Sequence, residues 1–88
     1  MDRETRLKRL RFRAWHRGTK EADLMIGGFY DRYATGWSDA DMTWFEIFLE
    51  EQDVDIMAWG MGVQPFPAAF EGQQAAAFRM LDYIPIAE

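Results

Sequence analysis

Arg17-Gly18-Thr19-Lys20-Glu21-Ala22 joins two amphipathic helical patterns, and its reading decides the fold. Upstream, Leu7, Leu10 and Ala14 fall at i, i+3 and i+7, which is one face of a helix over about residues 2–16. Arg6, Arg9 and Arg13 repeat that spacing on an adjoining face. Asp2 and Glu4 suit the positive end of the helix dipole. Downstream, Ala22, Met25, Ile26, Phe29 and Tyr33 form the stripe of a second helix over about 19–34. Gly18 is placed to stop the first helix, because glycine accepts the left-handed conformation common at helix ends. Thr19 is placed to cap the second, its hydroxyl accepting from a free backbone N–H.

Working outward, the remaining turn signals cut the chain into three more helical segments. Ser38 caps a third, over about 38–52, with Asp39 and Asp41 in its first turn and Met42, Phe45, Phe48 and Leu49 as its stripe. Asp53 caps a fourth, over about 53–60, which offers Ile56, Met57 and Trp59. Gly60, Gly62, Pro65 and Pro67 form a breaker stretch. A fifth helix over about 67–81 starts at Pro67, sets Phe70, Ala77, Phe78 and Leu81 on one face, and Pro85 marks the tail. The Gly27-Gly28 pair lies mid-helix, where each glycine costs about 1 kcal/mol against alanine, so the helix bends there or a neighbour passes close. No stretch alternates apolar and polar residues as a strand does. The expectation is an all-α fold, a compact bundle of five short helices forming a single domain over residues 1–88.

At 49% hydrophobic and 16% aromatic, the 88 residues can build a real core, yet four Trp, seven Phe and three Tyr are more than so short a chain is expected to bury. The absence of cysteine excludes disulfides, thiol catalysis and Cys-ligated metals. The charged start lacks the apolar stretch of a signal peptide, and no run is long and apolar enough to span a membrane, so a cytoplasmic protein is expected. Charge is divided. Residues 1–21 hold eight bases and three acids, and residues 22–88 hold two bases and twelve acids. Such a chain has two different surfaces to offer.

The inventory for catalysis is thin. His16 is the one histidine; it sits beside Arg17, and only Glu21 lies near in sequence as an orienting acid. Asp39-Ala40-Asp41 and Asp53-Val54-Asp55 have the spacing of metal loops but lack the glycine and later glutamate of a calcium loop, so they read as helix-start charges. Gly60 and Gly62 have neither the strand nor the lysine of a phosphate loop.

Two readings of the basic helix stand side by side. In one, Arg6, Arg9 and Arg13 are a solvated face, Gly18 is a helix stop and Glu21 balances a nearby arginine. In the other, the cationic face and its turn dock onto an anionic partner, with Arg17 bidentate to a carboxylate or phosphate and Trp15, outside the apolar stripe, as an exposed anchor. A helix-turn-helix is a further possibility, but its recognition helix would carry Asp23 and Asp31, which suits DNA poorly.

The motif and its surroundings resemble one known family. Arg17-Gly18-Thr19-Lys20-Glu21 looks like the RGxxE signature of the succinate dehydrogenase FAD assembly factors, bacterial and mitochondrial. Ala22-Asp23 is similar to the Leu-Asp that often follows it, and Phe29-Tyr30 falls where the family has an aromatic. Asp53-Val54-Asp55-Ile56-Met57-Ala58-Trp59 resembles the family's DxD[IL]xxW segment, and Pro65 and a final helix follow at similar spacing. Ala22 and Gly27-Gly28 depart from the pattern. The resemblance implies a five-helix, non-catalytic assembly factor that binds the flavoprotein subunit of succinate dehydrogenase, or fumarate reductase, and promotes covalent attachment of FAD to a client histidine. FAD would belong to the client, with none bound firmly by this chain, no metal and no nucleic acid. Arg17, Gly18 and Glu21 carry over as the motif, and Asp23 and Trp59 less directly. The expected partner-binding set is Arg13, Trp15, His16, Arg17, Gly18, Glu21 and Asp23, with substitutions of Arg17, Gly18 or Glu21 impairing flavinylation while the fold survives. The alternative is a small nucleic-acid-binding or antitoxin-type regulator using the basic first helix.

Overall fold

Helix ends follow from capping. The computed structural model describes residues 2–83 and contains helices α1 (Arg3–Trp15), α2 (Lys20–Tyr33), α3 (Asp39–Phe48), α4 (Asp53–Gly60) and α5 (Gln73–Arg79), with no strand among the described residues. Asp2 caps α1 by accepting from the Thr5 N–H at 2.7 Å. Thr19 caps α2 through the Ala22 N–H, and Ser38 and Asp41 close a reciprocal capping box on α3. Gln52, not Asp53, occupies the cap position of α4; Asp53 is the first helical residue and has another use. Pro85 lies outside the described residues.

Two helices end earlier than their patterns imply. α3 stops at Phe48, and residues 49–51 turn toward α4. The stretch expected as a fifth helix from Pro67 is two pieces, a 3₁₀ turn over Ala68–Phe70 and then α5. Gly72 separates them with φ of +145°, a conformation no helix continues through. The Phe70 carbonyl accepts from Trp44 Nε1 at 3.1 Å, which fixes that turn against α3. Leu81, expected on the inner face, is exposed beyond the end of α5, and Tyr83 takes the core position instead.

The core is aromatic. Phe29, Phe45, Phe48 and Phe78 are fully buried together with Leu10, Ile26, Met42 and Ile56. Phe29 meets Phe78 edge-on at 5.1 Å, and Phe48 meets Phe78 edge-on at 5.2 Å, an arrangement that the ring quadrupoles favour. The expected surplus of surface aromatics is not found: ten of the fourteen are buried, Trp15, Tyr33 and Trp44 are half-buried, and Phe12 alone is exposed. Trp59 belongs to the core. Burial is possible because the polar tips are satisfied, with Tyr30 Oη donating to the Leu7 carbonyl at 2.9 Å and Tyr83 Oη to the Phe78 carbonyl at 2.6 Å. Burial pushes the Tyr83 hydroxyl pKa well up.

The Gly27-Gly28 pair is explained by close approach on two sides. A Cβ on Gly27 would meet the indole of Trp15 from α1, and one on Gly28 would lie 2.9 Å from the Tyr83 carbonyl oxygen. α1 also rests on α3. Arg6 Nε and Nη2 donate to the two carboxylate oxygens of Glu46 at 2.9 and 2.8 Å, and Nη2 reaches Thr43 Oγ1 at 2.7 Å. Arg13 pairs with Glu50 one turn further on. Two of the three arginines read as a solvated face therefore bridge helices, while Arg9 remains exposed.

Two outcomes follow. Gly27→Ala gains at most about 1 kcal/mol of helix propensity but forces the Trp15 indole aside at an overpacking cost of about 1–3 kcal/mol. The net is a loss of stability in urea unfolding, reduced when Trp15→Leu is combined with it. The hydrogen bonds from Arg6 hold the Glu46 carboxyl below its ordinary pKa, so this pair contributes fully above the unfolded glutamate value of about 4.3 and its contribution is lost as pH falls through the lower folded value. The urea midpoints of wild type and Glu46→Gln should therefore differ at neutral pH and converge as pH falls below the ordinary glutamate range.

Candidate functional site

The turn between α1 and α2 is built around the Arg17 side chain, which points inward. Nε donates to Asp53 Oδ1 at 2.7 Å, Nη1 to the Leu49 carbonyl at 2.9 Å and Nη2 to the Glu51 carbonyl at 3.0 Å. The side chain is 11% exposed. Its acceptors are carbonyls left free where α3 ends and the carboxylate that opens α4. A planar guanidinium satisfies all three at once, and its charge suits a helix C-terminus. Asp23 completes the turn by accepting from the Arg17 backbone N–H at 2.6 Å.

The seven residues expected to meet a partner therefore divide. Arg17 and Asp23 are engaged internally, as is Arg13 with Glu50. Trp15 is half-buried over Gly27, with Nε1 3.3 Å from Asp31 Oδ1, and is not the exposed anchor that its place off the stripe implied. Gly18, Glu21 and His16 face solvent. Gly18 has a φ of +115° and nothing within 4 Å of a Cβ built on it, so glycine is required by the backbone rather than by crowding. Glu21 has no side-chain partner among the described residues, and it stands in the first turn of α2, where the dipole favours an anion. His16 Nδ1 donates to the Phe12 carbonyl at 2.7 Å, and its ring stacks on Phe12 at 4.0 Å.

Phe12 was not singled out by sequence reasoning, although it is 63% exposed and lies on the outer face of α1 between Lys8 and His16. Its signal was available, since it falls off the Leu7/Leu10/Ala14 stripe. The partner of Arg17 was beyond reach, because Asp53 lies thirty-six residues away. In the other paired-acid motif, Asp41 accepts from the Ser38 N–H at 3.0 Å, and Asp39 lies 3.9 Å from Arg6. With Arg6, Arg13 and Arg17 paired internally, the cationic face available to nucleic acid shrinks, and α2 carries Asp23 and Asp31 where a reading helix would need bases. Among the described residues no helix is long and apolar enough to cross a membrane.

Comparison with known proteins points one way. Residues 8–83 match the model of a family described as flavinator of succinate dehydrogenase. The FAD assembly factor SdhE of Acetobacter pasteurianus is 42% identical over 62 residues, which covers 70% of this chain and 57% of that protein. The mitochondrial succinate dehydrogenase assembly factor 2 of Mycosarcoma maydis is 36% identical over 66 residues, 75% of this chain and 28% of its own length. That of Debaryomyces hansenii is 34% identical over 62 residues, 67% and 44% respectively. The chain thus spans less than two thirds of these curated relatives. No solved structure matches.

The geometry separates two residues of one motif. Arg17→Ala strands two carbonyls and the Asp53 carboxylate in a half-buried site, so it should cost about 2–4 kcal/mol in urea unfolding. Arg17→Lys, a single point charge without the fork, should recover only part of that. Glu21→Ala should stay within about 0.5 kcal/mol of wild type. Equal stability of Arg17→Ala and wild type would contradict the inward role and restore Arg17 to the partner surface.

Proposed function

The chain belongs to the succinate dehydrogenase flavinator family, and on that premise we propose that it binds the flavoprotein subunit of succinate dehydrogenase and promotes covalent attachment of FAD to it. Fumarate reductase is a second client on this reading, and the bacterial cytoplasm is its setting. The observation that carries it is the division within the motif: Arg17 and Asp23 fix the turn from inside, and Gly18 and Glu21 are left on the surface. A turn held this firmly leaves only the Glu21 side chain, not its backbone, to be ordered on binding, which favours a recognition surface.

The role proposed is positioning rather than catalysis. The flavin and the histidine that receives it belong to the client, and this chain holds a client domain in the arrangement where the bond forms. Gly18 lets the partner's backbone approach the turn, and Glu21 supplies one free anion on a fixed backbone for a client donor. His16 and Phe12, stacked at the neighbouring helix end, extend the same surface.

Covalent flavin fluorescence of the flavoprotein subunit in a denaturing gel tests this. Signal should fall on deletion of the gene, return with wild type, and stay low with Glu21→Ala, a variant expected to be as stable as wild type. Normal signal after deletion would sink the reading. Full rescue by Glu21→Ala would leave the function and remove Glu21 from it.

A further inference from the structure

Beside the motif turn lies an apolar surface to which neither the fold nor the motif gives a role. α4 is apolar on two opposite sides. Ile56 and Trp59 face the core. Val54, Met57 and Met61 fall at i, i+3 and i+7 on the other side, where Val54 is 69% exposed and Met61 55%. Gly62, with φ of +76°, then reverses the chain, and the Val63 N–H donates to the Ala58 carbonyl at 2.9 Å. That turn brings Val63, 68% exposed, back beside the helix. The result is a shallow groove with Val54, Met57, Met61 and Val63 as its floor and Thr19 and Asp53 on its wall. Grouped exposure of this kind marks an interaction surface more often than scattered single residues do, and methionine adapts to varied shapes.

Two observations say what covers it. The first is continuity. Thr19 lies inside the motif and Asp53 is the residue that grips Arg17, so groove and motif turn share a wall. The second is charge. Asp55, in the first turn of α4 beside Val54, is exposed and has no partner among the described residues. The lining itself supplies no free base, and its one acid, Asp53, is taken by Arg17, so a second copy docked groove to groove would offer Asp55 no cation from the lining.

We propose that this groove docks an apolar segment of the flavoprotein client that carries a basic residue alongside, the apolar side chains covering Val54 and Met61 and the base meeting Asp55. The proposal rests on the function given above and extends its surface from the motif onto α4.

The test is equilibrium binding of the purified flavoprotein subunit to wild type, Glu21→Ala, Asp55→Lys and the double variant Val54→Ser/Met61→Ser, with circular dichroism as the fold control and sedimentation for oligomeric state. The groove residues are exposed, so the double variant should fold as wild type does. It should bind at least about tenfold more weakly at low and high salt alike, as loss of apolar anchors predicts. Asp55→Lys should bind weakly only at low salt, because an exposed charge pair is screened. Wild-type affinity in the double variant, with Glu21→Ala impaired, overturns the groove and leaves the function standing. A shift in oligomeric state with unchanged client affinity also overturns it and gives the groove to a second copy. No binding by wild type at all removes the function itself, and the groove proposal with it.

Discussion

The grip of Arg17 on the junction between α3 and α4 is the constraint on which the rest of the arrangement depends. Helix ends leave carbonyls without partners, and a short chain has little spare material with which to cover them. Here one side chain from the α1–α2 turn answers the Leu49 and Glu51 carbonyls and the Asp53 carboxylate together. It joins segments thirty-two to thirty-six residues apart in the sequence, and it fixes where the turn sits relative to α4. Asp23 then locks the turn's own backbone. A lysine offers a point charge where three separated acceptors require a fork.

The uneven charge along the sequence has a structural counterpart. Bases gathered in the first helix meet acids of the later ones: Arg6 with Glu46, Arg13 with Glu50, Arg17 with Asp53. Part of what reads as a cationic face and an acidic remainder is a set of ties from α1 and its following turn to the α3–α4 unit. Individually, exposed pairs contribute little; the Arg17 pair differs because it is shielded and its remaining donors are satisfied. The local apolar stripes bring the helices together, and the ion pairs set which faces meet.

How much was legible follows from the range of each signal. Caps are local, so Thr19 and Ser38 were readable and sit where expected. Stripes are local too, and Leu10, Ala14, Met25, Ile26, Phe29, Met42, Phe45 and Phe48 are all buried. Gly27-Gly28 signalled a close approach but could not name Trp15, since the neighbour lies on another helix. The fifth helix was overextended because Pro67 is compatible with a helix start, whereas the bond from Trp44 to the Phe70 carbonyl that holds a separate turn there is tertiary. Asp53 was read as a cap for the same reason: an aspartate at a helix start has a local use, and its actual partner is remote. For the site, the motif was visible but its inside and outside were not. Arg17 and Glu21 looked alike as charged, exposed contact residues until the fold turned one inward.

That division gives the motif's spacing a physical meaning. An arginine two residues beyond the last turn of α1 can reach back across the α3–α4 junction, and a glutamate four positions later stands in the first turn of α2, directed to solvent. Between them the chain must reverse, which Gly18 does at a φ that other residues resist. The backbone that carries the surface anion is held by the same element that closes the core. Whatever loosens Arg17 inside therefore also loosens the turn presented outside.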